Sequence, residues 1–451
     1  MDRFYKQFPI PIVIVILALS LASCKHGPKE SLQSAKFKVT IENTGQVYPI
    51  LKSDAFTTPV GASEAGPIKP GQAYEFEFTA PVGAHLSLAT MFVQSNDWIY
   101  ATDEDGIALY NDDGSKVTGN VTDQIDLYDA GTEQDQEPGV GDNQAPRQSA
   151  PNTGPADNNM NVRLVDDSNL PANSDVIKVT LMSTSTYGFK VRIENESDSN
   201  TLQTSEGGKP VPLSPGVWLV HAANQKNLLY KLGEPDYGDG LEAIAEDGNP
   251  GNLASNLADK SGLTVPLSPG AFAIYKGPNP IFMSGKPAPD NGIENIAEDG
   301  NPAMLGTALQ SKQTVSESGV FSMPDGSSEA MPALPGHKFT FTFMGHEGDM
   351  LTFATMYAQS NDAFYSPKEA GIDLFANGTP TTGDVTDQVM LWDAGTEANE
   401  EPGVGSNQAP RQSAPNTGPD DPNPNVRPIN DGYDYGGVAS HIKVSISTVQ
   451  N

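Results

Sequence analysis

A nineteen-residue phrase occurs twice in this chain, as EPGVGDNQAPRQSAPNTGP at Glu137–Pro155 and as EPGVGSNQAPRQSAPNTGP at Glu401–Pro419. One difference in the phrase, Asp142 against Ser406, leaves internal duplication as its explanation, so the chain must fold as two related units. The match continues upstream. ATMFVQSNDW (Ala89–Trp98) faces ATMYAQSNDA (Ala354–Ala363), and LYDAGTE (Leu127–Glu133) faces LWDAGTE (Leu391–Glu397). Each unit therefore carries the same widely spaced set of acidic residues.

The hydrophobic period is two. Phe37, Val39 and Ile41 alternate with Lys38, Thr40 and Glu42, the pattern of a strand with one buried face, and Phe189, Val191 and Ile193 repeat it. Tyr74, Phe76 and Phe78 alternate in the same way, as do Phe339, Phe341 and Phe343, and closing strands are expected at Ile177–Leu181 and Ile442–Ile446. With 44 Gly and 37 Pro among 451 residues there is little room for long helices, and a hydrophobic content of 37% suffices for sandwich-type cores. The expected fold is mainly β, two tandem antiparallel β-sandwich domains at 36–186 and 187–451. The second is longer, and its excess has an internal repeat: VPLSPG at Val211–Gly216 and Val265–Gly270, and GLEAIAEDGNP (Gly240–Pro250) echoed by GIENIAEDGNP (Gly292–Pro302). Asn-Pro before Leu253–Leu257 and before Met304–Leu309 predicts two short helices, each introduced by an acidic, solvated turn. On this reading the first domain is a trimmed version of the second.

The leader points to export. Arg3 and Lys6 precede an apolar run, Ile10–Leu21, too short to span a bilayer comfortably, and Leu21-Ala22-Ser23-Cys24 follows at once. This resembles the lipobox of bacterial lipoproteins, which implies removal of residues 1–23, lipidation of Cys24, a tether over 24–35 and anchoring in the cell envelope, at the outer membrane or cell surface. Cys24 is the one cysteine, so no intrachain disulfide forms. The formal charge of −31 makes nucleic acid and anionic lipid poor partners and divalent cations good ones. The six histidines have no HExxH spacing, which disfavours zinc, and each reads as an isolated surface or strand-end residue.

SNDW followed about thirty residues later by DAGTE, together with LSPG and GLEAIAEDGNP in strand-rich surroundings, resembles bacterial spondin domains, relatives of the amino-terminal spondin domain of F-spondin. The resemblance covers nearly all of the mature chain. It implies antiparallel β-sandwiches with a calcium ion held by edge loops, and an adhesive or matrix-binding role without catalysis. The implied ligands are Asp97, Asp129 and Glu133 in the first copy and Asp362, Asp393 and Glu397 in the second; the last of each trio departs from the family's Asp.

That assignment is chemically coherent. Calcium takes roughly six to eight oxygen ligands in tolerant geometry, and loop carboxylates with backbone carbonyls and water provide them. Asp129 and Glu133 flank Gly131, whose backbone freedom allows both to turn toward one point, while Asp97 must arrive from another loop. The competing explanation is that SND and DAGTE are only turns, where Asp, Asn and Gly are common. Three function classes follow: a lipid-anchored calcium-binding module for an extracellular protein or glycan, a glycan hydrolase using paired carboxylates, and a structural envelope lipoprotein. An aromatic-lined cleft holding two carboxylates would mark the hydrolase, and acids gathered at one edge would mark the binding module.

Overall fold

The computed structural model describes residues 33–449. Cys24, the leader and most of the tether lie outside that range. Within it the chain is mainly β with antiparallel sheets, as the alternation requires.

The first part of the chain supplies β1 (Ser34–Asn43), β2 (Ile50–Phe56), β3 (Ala73–Thr79), β4 (Ala84–Phe92), β5 (Trp98–Thr102), β6 (Ile125–Asp129), β7 (Arg163–Leu164) and β8 (Ile177–Ser183). The middle supplies β9 (Gly188–Asn195), β10 (Leu213–Ala222), α1 (Leu241–Asp247), α2 (Gly251–Asp259), β11 (Leu267–Tyr275), α3 (Ile293–Asp299) and α4 (Ala303–Gln310). The remainder supplies β12 (Val315–Phe321), β13 (Lys338–His346), β14 (Met350–Tyr357), β15 (Ala363–Pro367), β16 (Val389–Asp393), β17 (Arg427–Pro428) and β18 (Ile442–Thr448).

Two units of the same design result. In the first, a large sheet runs β2-β10-β4-β5-β6-β7 and faces a smaller one containing β3-β9-β8; in the second, β12-β11-β14-β15-β16-β17 faces β13-β1-β18. One apolar core fills each gap between sheets, built around Tyr74, Leu86, Phe189 and Val191 in the first unit and Phe37, Val39, Phe341 and Leu351 in the second. A further core lies on the outer face of each large sheet, under its helix pair: Leu241, Ile244, Leu253 and Leu257 meet Met91, Ile99 and Leu219, and Ile293, Ile296, Leu305 and Leu309 meet Ala271 and Phe364. Strands β4 and β14 are consequently buried along both faces, so that Ser87, Thr90, Thr352 and Thr355 are enclosed along with their apolar neighbours.

The strand pairing corrects the expected domain limits. β9 hydrogen-bonds to β8 and β3, placing Ile193 opposite Val179 and Tyr74, whereas β1 hydrogen-bonds to β13 and β18, placing Val39 opposite Phe341 and Ile446. The boundary drawn at 186/187 thus falls inside a hairpin, and the tether drawn to residue 35 runs into β1. The physical reason is loop closure. Four residues join β8 to β9, so those strands meet as a local hairpin, and the similar strand at the start of the chain fills the place left beside β18.

Nor is the first unit trimmed. Residues 211–262, assigned from sequence to the second domain, supply β10, α1 and α2 to the first unit. The helices expected after Asn-Pro are α2 and α4, with Asn249 Oδ1 accepting from Gly251 N at 3.1 Å and Asn301 Oδ1 from Ala303 N at 3.1 Å. The acidic stretches before them are themselves helices, α1 and α3, stopped by left-handed Gly248 and Gly300.

Candidate metal centre

In each unit two loops that are distant in sequence meet at the end of the large sheet. The register of β5 on β6 sets Trp98 opposite Asp129, which brings the Ser95–Asp97 turn beside the Asp129–Glu133 turn. Ser95 shapes its own turn, its hydroxyl donating to Phe92 O at 2.7 Å and accepting from Trp98 N at 3.0 Å. Asp97 is fully buried. Its Oδ2 accepts from Thr132 N at 2.7 Å and Glu133 N at 3.0 Å, while its Oδ1 has no hydrogen-bond partner among the described residues.

Asp129 accepts from Gly131 N at 2.7 Å through Oδ1 and pairs with Arg163 through Oδ2. Gly131 has φ 72°, and a Cβ there would lie 2.7 Å from the Met160 carbonyl carbon, so both backbone angle and space demand glycine. Asp135 completes the cluster. One carboxylate oxygen from each of Asp97, Asp129 and Asp135 lies within 4.8 Å of the other two.

The second unit repeats the arrangement with one exchange. Asp362 Oδ2 accepts from Thr396 N at 2.7 Å and Glu397 N at 3.2 Å, its Oδ1 is again unpartnered among the described residues, and Asp393 Oδ1 accepts from Gly395 N at 2.7 Å. Arg427 stands 2.7 Å from Asp393 Oδ2, as Arg163 stands by Asp129. Asn399 takes the position of Asp135; its amide donates to Asp393 Oδ2 at 2.8 Å and its Oδ1 has no partner among the described residues.

Of the six residues proposed from sequence, the structure brings Asp97 together with Asp129 and Asp362 together with Asp393. Glu133 and Glu397 are not part of these clusters. Glu133 Oε1 accepts from Gly154 N at 2.7 Å and Glu397 Oε1 from Gly418 N at 2.7 Å, which ties each turn to its copy of the duplicated phrase. A Cβ at Gly154 would meet Glu133 Oε2 at 2.2 Å, so that clamp leaves no side-chain room. The phrase is a buried polar strap. Gln144 and Gln408 are fully buried, Arg147 donates to Gly141 O at 2.8 Å, and Gln148 Nε2 reaches Asp247 Oδ1 at 2.6 Å at the end of α1.

Burial dominates the electrostatics. It raises the Asp97 carboxyl to about 6; burial and then the charges of Asp97 and Asp135 raise Asp129 to about 8; burial and then Asp393 raise Asp362 to about 7. The Arg163 guanidinium opposes the shift at Asp129 without cancelling it. Sequence reasoning missed Asp135, because Asn399 breaks the repeat there. It missed Arg163 and Arg427 as well, although NVR recurs at both places.

One other expectation is corrected. Glu246 and Glu298 are not solvated: each is 1% exposed at the carboxyl end of its helix, where the helix dipole disfavours an anion, and burial raises each to about 8. Of the two placements expected for the histidines, surface or strand end, His221 has the second, one residue before the end of β10. It is fully buried with Nε2 3.0 Å from Ser87 Oγ and Nδ1 3.1 Å from Ala222 O. A Cβ on Gly106 would lie 2.8 Å from that hydroxyl, so a substrate has no room there and the pair is a packed polar contact of the core.

Trp98, Trp218 and Trp392 are buried; Trp392 packs on Phe282 and Trp218 on Phe76 and Phe78. No protein-family model matches the chain, and no curated protein matches it.

Proposed function

We propose that the protein is an exported, lipid-anchored binding module for an extracellular protein or glycan, non-catalytic, with calcium joining the edge loops of its units. The observation that carries the calcium reading is the unpartnered, fully buried Oδ1 of Asp97 and of Asp362, each beside a second aspartate. A buried carboxylate oxygen without a donor costs several kcal/mol, on the order of 1–3 or more, and an ion there removes that cost. All the donor atoms are hard oxygens, which suits calcium and not zinc or a redox metal. Asp97, Asp129 and Asp135 would hold it in the first unit, and Asp362, Asp393 and the Asn399 carbonyl in the second. The bound ion would neutralise the cluster and cross-link two loops; this chain's own residues preset the loops through the Gly131 and Gly395 turns. The adhesive role rests on the spondin resemblance. Aromatic residues are absent from the lining of the acid-lined cavity beside α1, which supports a binding module over a glycan hydrolase.

Calorimetry on chelator-treated protein tests the reading. At an extracellular-type Kd near ~10⁻⁴ M and roughly millimolar calcium, each occupied unit gains about 1.4 kcal/mol. Asp97→Asn should abolish the first site and Asp362→Asn the second, and the first unit, with one more carboxylate, should bind more tightly. Absence of binding heat together with a melting temperature indifferent to chelator would reject calcium and leave Arg-neutralised turns.

A further inference from the structure

A cavity of about 500 Å³ opens in the first unit between the loop before β3, the start of β10 and the carboxyl end of α1. Pro67, Pro146, Pro212, Pro215, Met91 and Val93 give it apolar walls, and Gly66, Lys69 and Asp247 stand at its edges. Asp97, Asp129 and Asp135 do not line it. A concave apolar site of this volume takes a small organic molecule.

The second unit has the same walls with a different content. Backbone hydrogen bonds fix the correspondence: Gly66 N donates to Thr57 O and Met331 N to Ser322 O, each at 2.9 Å, while Ile68 N donates to Leu213 O at 2.9 Å and Ala333 N to Leu267 O at 2.8 Å. Pro67, Met91, Pro146, Pro212 and Pro215 recur as Pro332, Met356, Pro410, Pro266 and Pro269. Val93 becomes Ala358, a small apolar exchange, but Gly66 becomes Met331 and Lys69 becomes Leu334. Gly66 has no left-handed angle to demand glycine, and a Cβ there would meet no atom within 4 Å. Met331 is half-buried at the same place. The first unit thus lacks an unbranched apolar side chain that its copy possesses, and the room for one is open.

The second exchange places a cation at the same edge. Lys69 N–H donates to Gln72 Oε1 at 2.8 Å and its carbonyl accepts from Gln72 N at 2.9 Å, while its ammonium pairs with no group among the described residues. Asp247 does not neutralise it, being part of the frame that both units share: Gln148 Nε2 donates to Asp247 Oδ1 at 2.6 Å, as Gln412 Nε2 does to Asp299 Oδ1 at 2.9 Å. An apolar gap bordered by a free ammonium suits an apolar chain that ends in an anion. We infer that this cavity binds a medium-chain aliphatic carboxylate, its chain in the room beside Gly66 and its carboxylate on Lys69.

The test is titration calorimetry on the full chain at about 0.15 M salt, which screens loose charge attraction, with octanoate as the probe and octanol as the neutral control. Octanoate should bind one to one, and octanol at least about ten-fold more weakly, the loss expected without a charge-assisted hydrogen bond. Gly66→Met should abolish binding, and Lys69→Leu should reduce octanoate to the affinity of octanol. Lys286→Leu, an equal loss of charge at an exposed position of the second unit, should change nothing. Gly66→Met and Lys69→Leu each introduce the kind of residue that the second unit carries there, so both proteins should melt as the wild type does. Absence of heat with octanoate, octanol binding as tightly as octanoate, or unchanged octanoate affinity in either folded cavity variant would overturn the assignment.

Discussion

At the residue scale, the feature that organises each unit is an aspartate held in a donor-built cradle with one oxygen left over. Asp97 and Asp362 have the same three-donor arrangement on Oδ2 and the same unpartnered Oδ1. Its presence in both copies of the duplicated unit makes the feature part of the shared design rather than a peculiarity of one loop. It also sets a pH dependence. These carboxyls have folded-state values above the ordinary Asp value near ~3.9, at about 6 for Asp97, about 8 for Asp129 and about 7 for Asp362. A raised value means the native state binds more protons, so the stability these three groups contribute is complete below about pH 4 and is lost as pH rises through about 6–8. Chelated protein should therefore melt several degrees lower at pH 8 than at pH 5, since the shift at fully buried Asp97 alone is worth about 3 kcal/mol. Calcium should restore more at pH 8 than at pH 5, because ion and proton compete for the same oxygens. Parallel melts at the two pH values, with and without calcium, measure it; equal calcium effects would contradict ion binding at these groups.

At the scale of elements, the two opening strands are near-copies, and only their connections decide which sheet each enters. Both end in a buried asparagine that stitches the strand to its unit: Asn43 donates to Val265 O and Ala333 O at 2.8 Å each, and Asn195 to Ile68 O at 3.0 Å and Val211 O at 2.8 Å. The chain therefore nests its units, with the first unit between β1 and the rest of the second. A fragment of residues 48–262 should give one cooperative unfolding transition, since it contains every strand and helix of the first unit. A fragment of 187–451 should aggregate. It carries β10, α1 and α2 without the β4 and β5 surface that buries Leu219, Ile244 and Leu257. Circular dichroism melts and light scattering separate these outcomes, and the reverse result would restore the tandem boundary.

At the scale of the whole molecule, the units touch through a few polar contacts. Lys52 Nζ lies 2.6 Å from Glu401 Oε1, Thr79 Oγ1 donates to Glu401 at 2.9 Å, and Tyr187 Oη donates to Glu400 Oε1 at 2.8 Å. Ser406, the single difference in the duplicated phrase, sits in this contact, its N–H donating to Tyr187 Oη at 2.9 Å, whereas its counterpart Asp142 is exposed. An aspartate there would add a third carboxylate beside Glu400 and Glu401, so the divergence has an electrostatic reason. The proposed anchor also belongs to this scale. Cys24→Ser should move the protein from membrane to soluble fractions and abolish labelling by a fatty-acid analogue, and unchanged partitioning would reject lipidation.

The sequence by itself determined what is local or repeated. Alternation specified the strands, Asn-Pro located α2 and α4, and the duplicated turns marked Asp97, Asp129, Asp362 and Asp393. These signals survive because each depends on neighbours a few residues apart or on the existence of a second copy. The tertiary structure decided which of two similar strands pairs with which sheet, a competition of loop lengths that side-chain pattern cannot record. It also decided which acids converge. Glu133 stands closer in sequence to Asp129 than Asp135 does, yet its carboxylate turns to Gly154 while Asp135 joins the cluster. Burial of Glu246 and the acceptor-rich cavity beside it came only with the packing of α1 onto the sheet, because whether a carboxylate meets water or protein depends on what the fold lays over it.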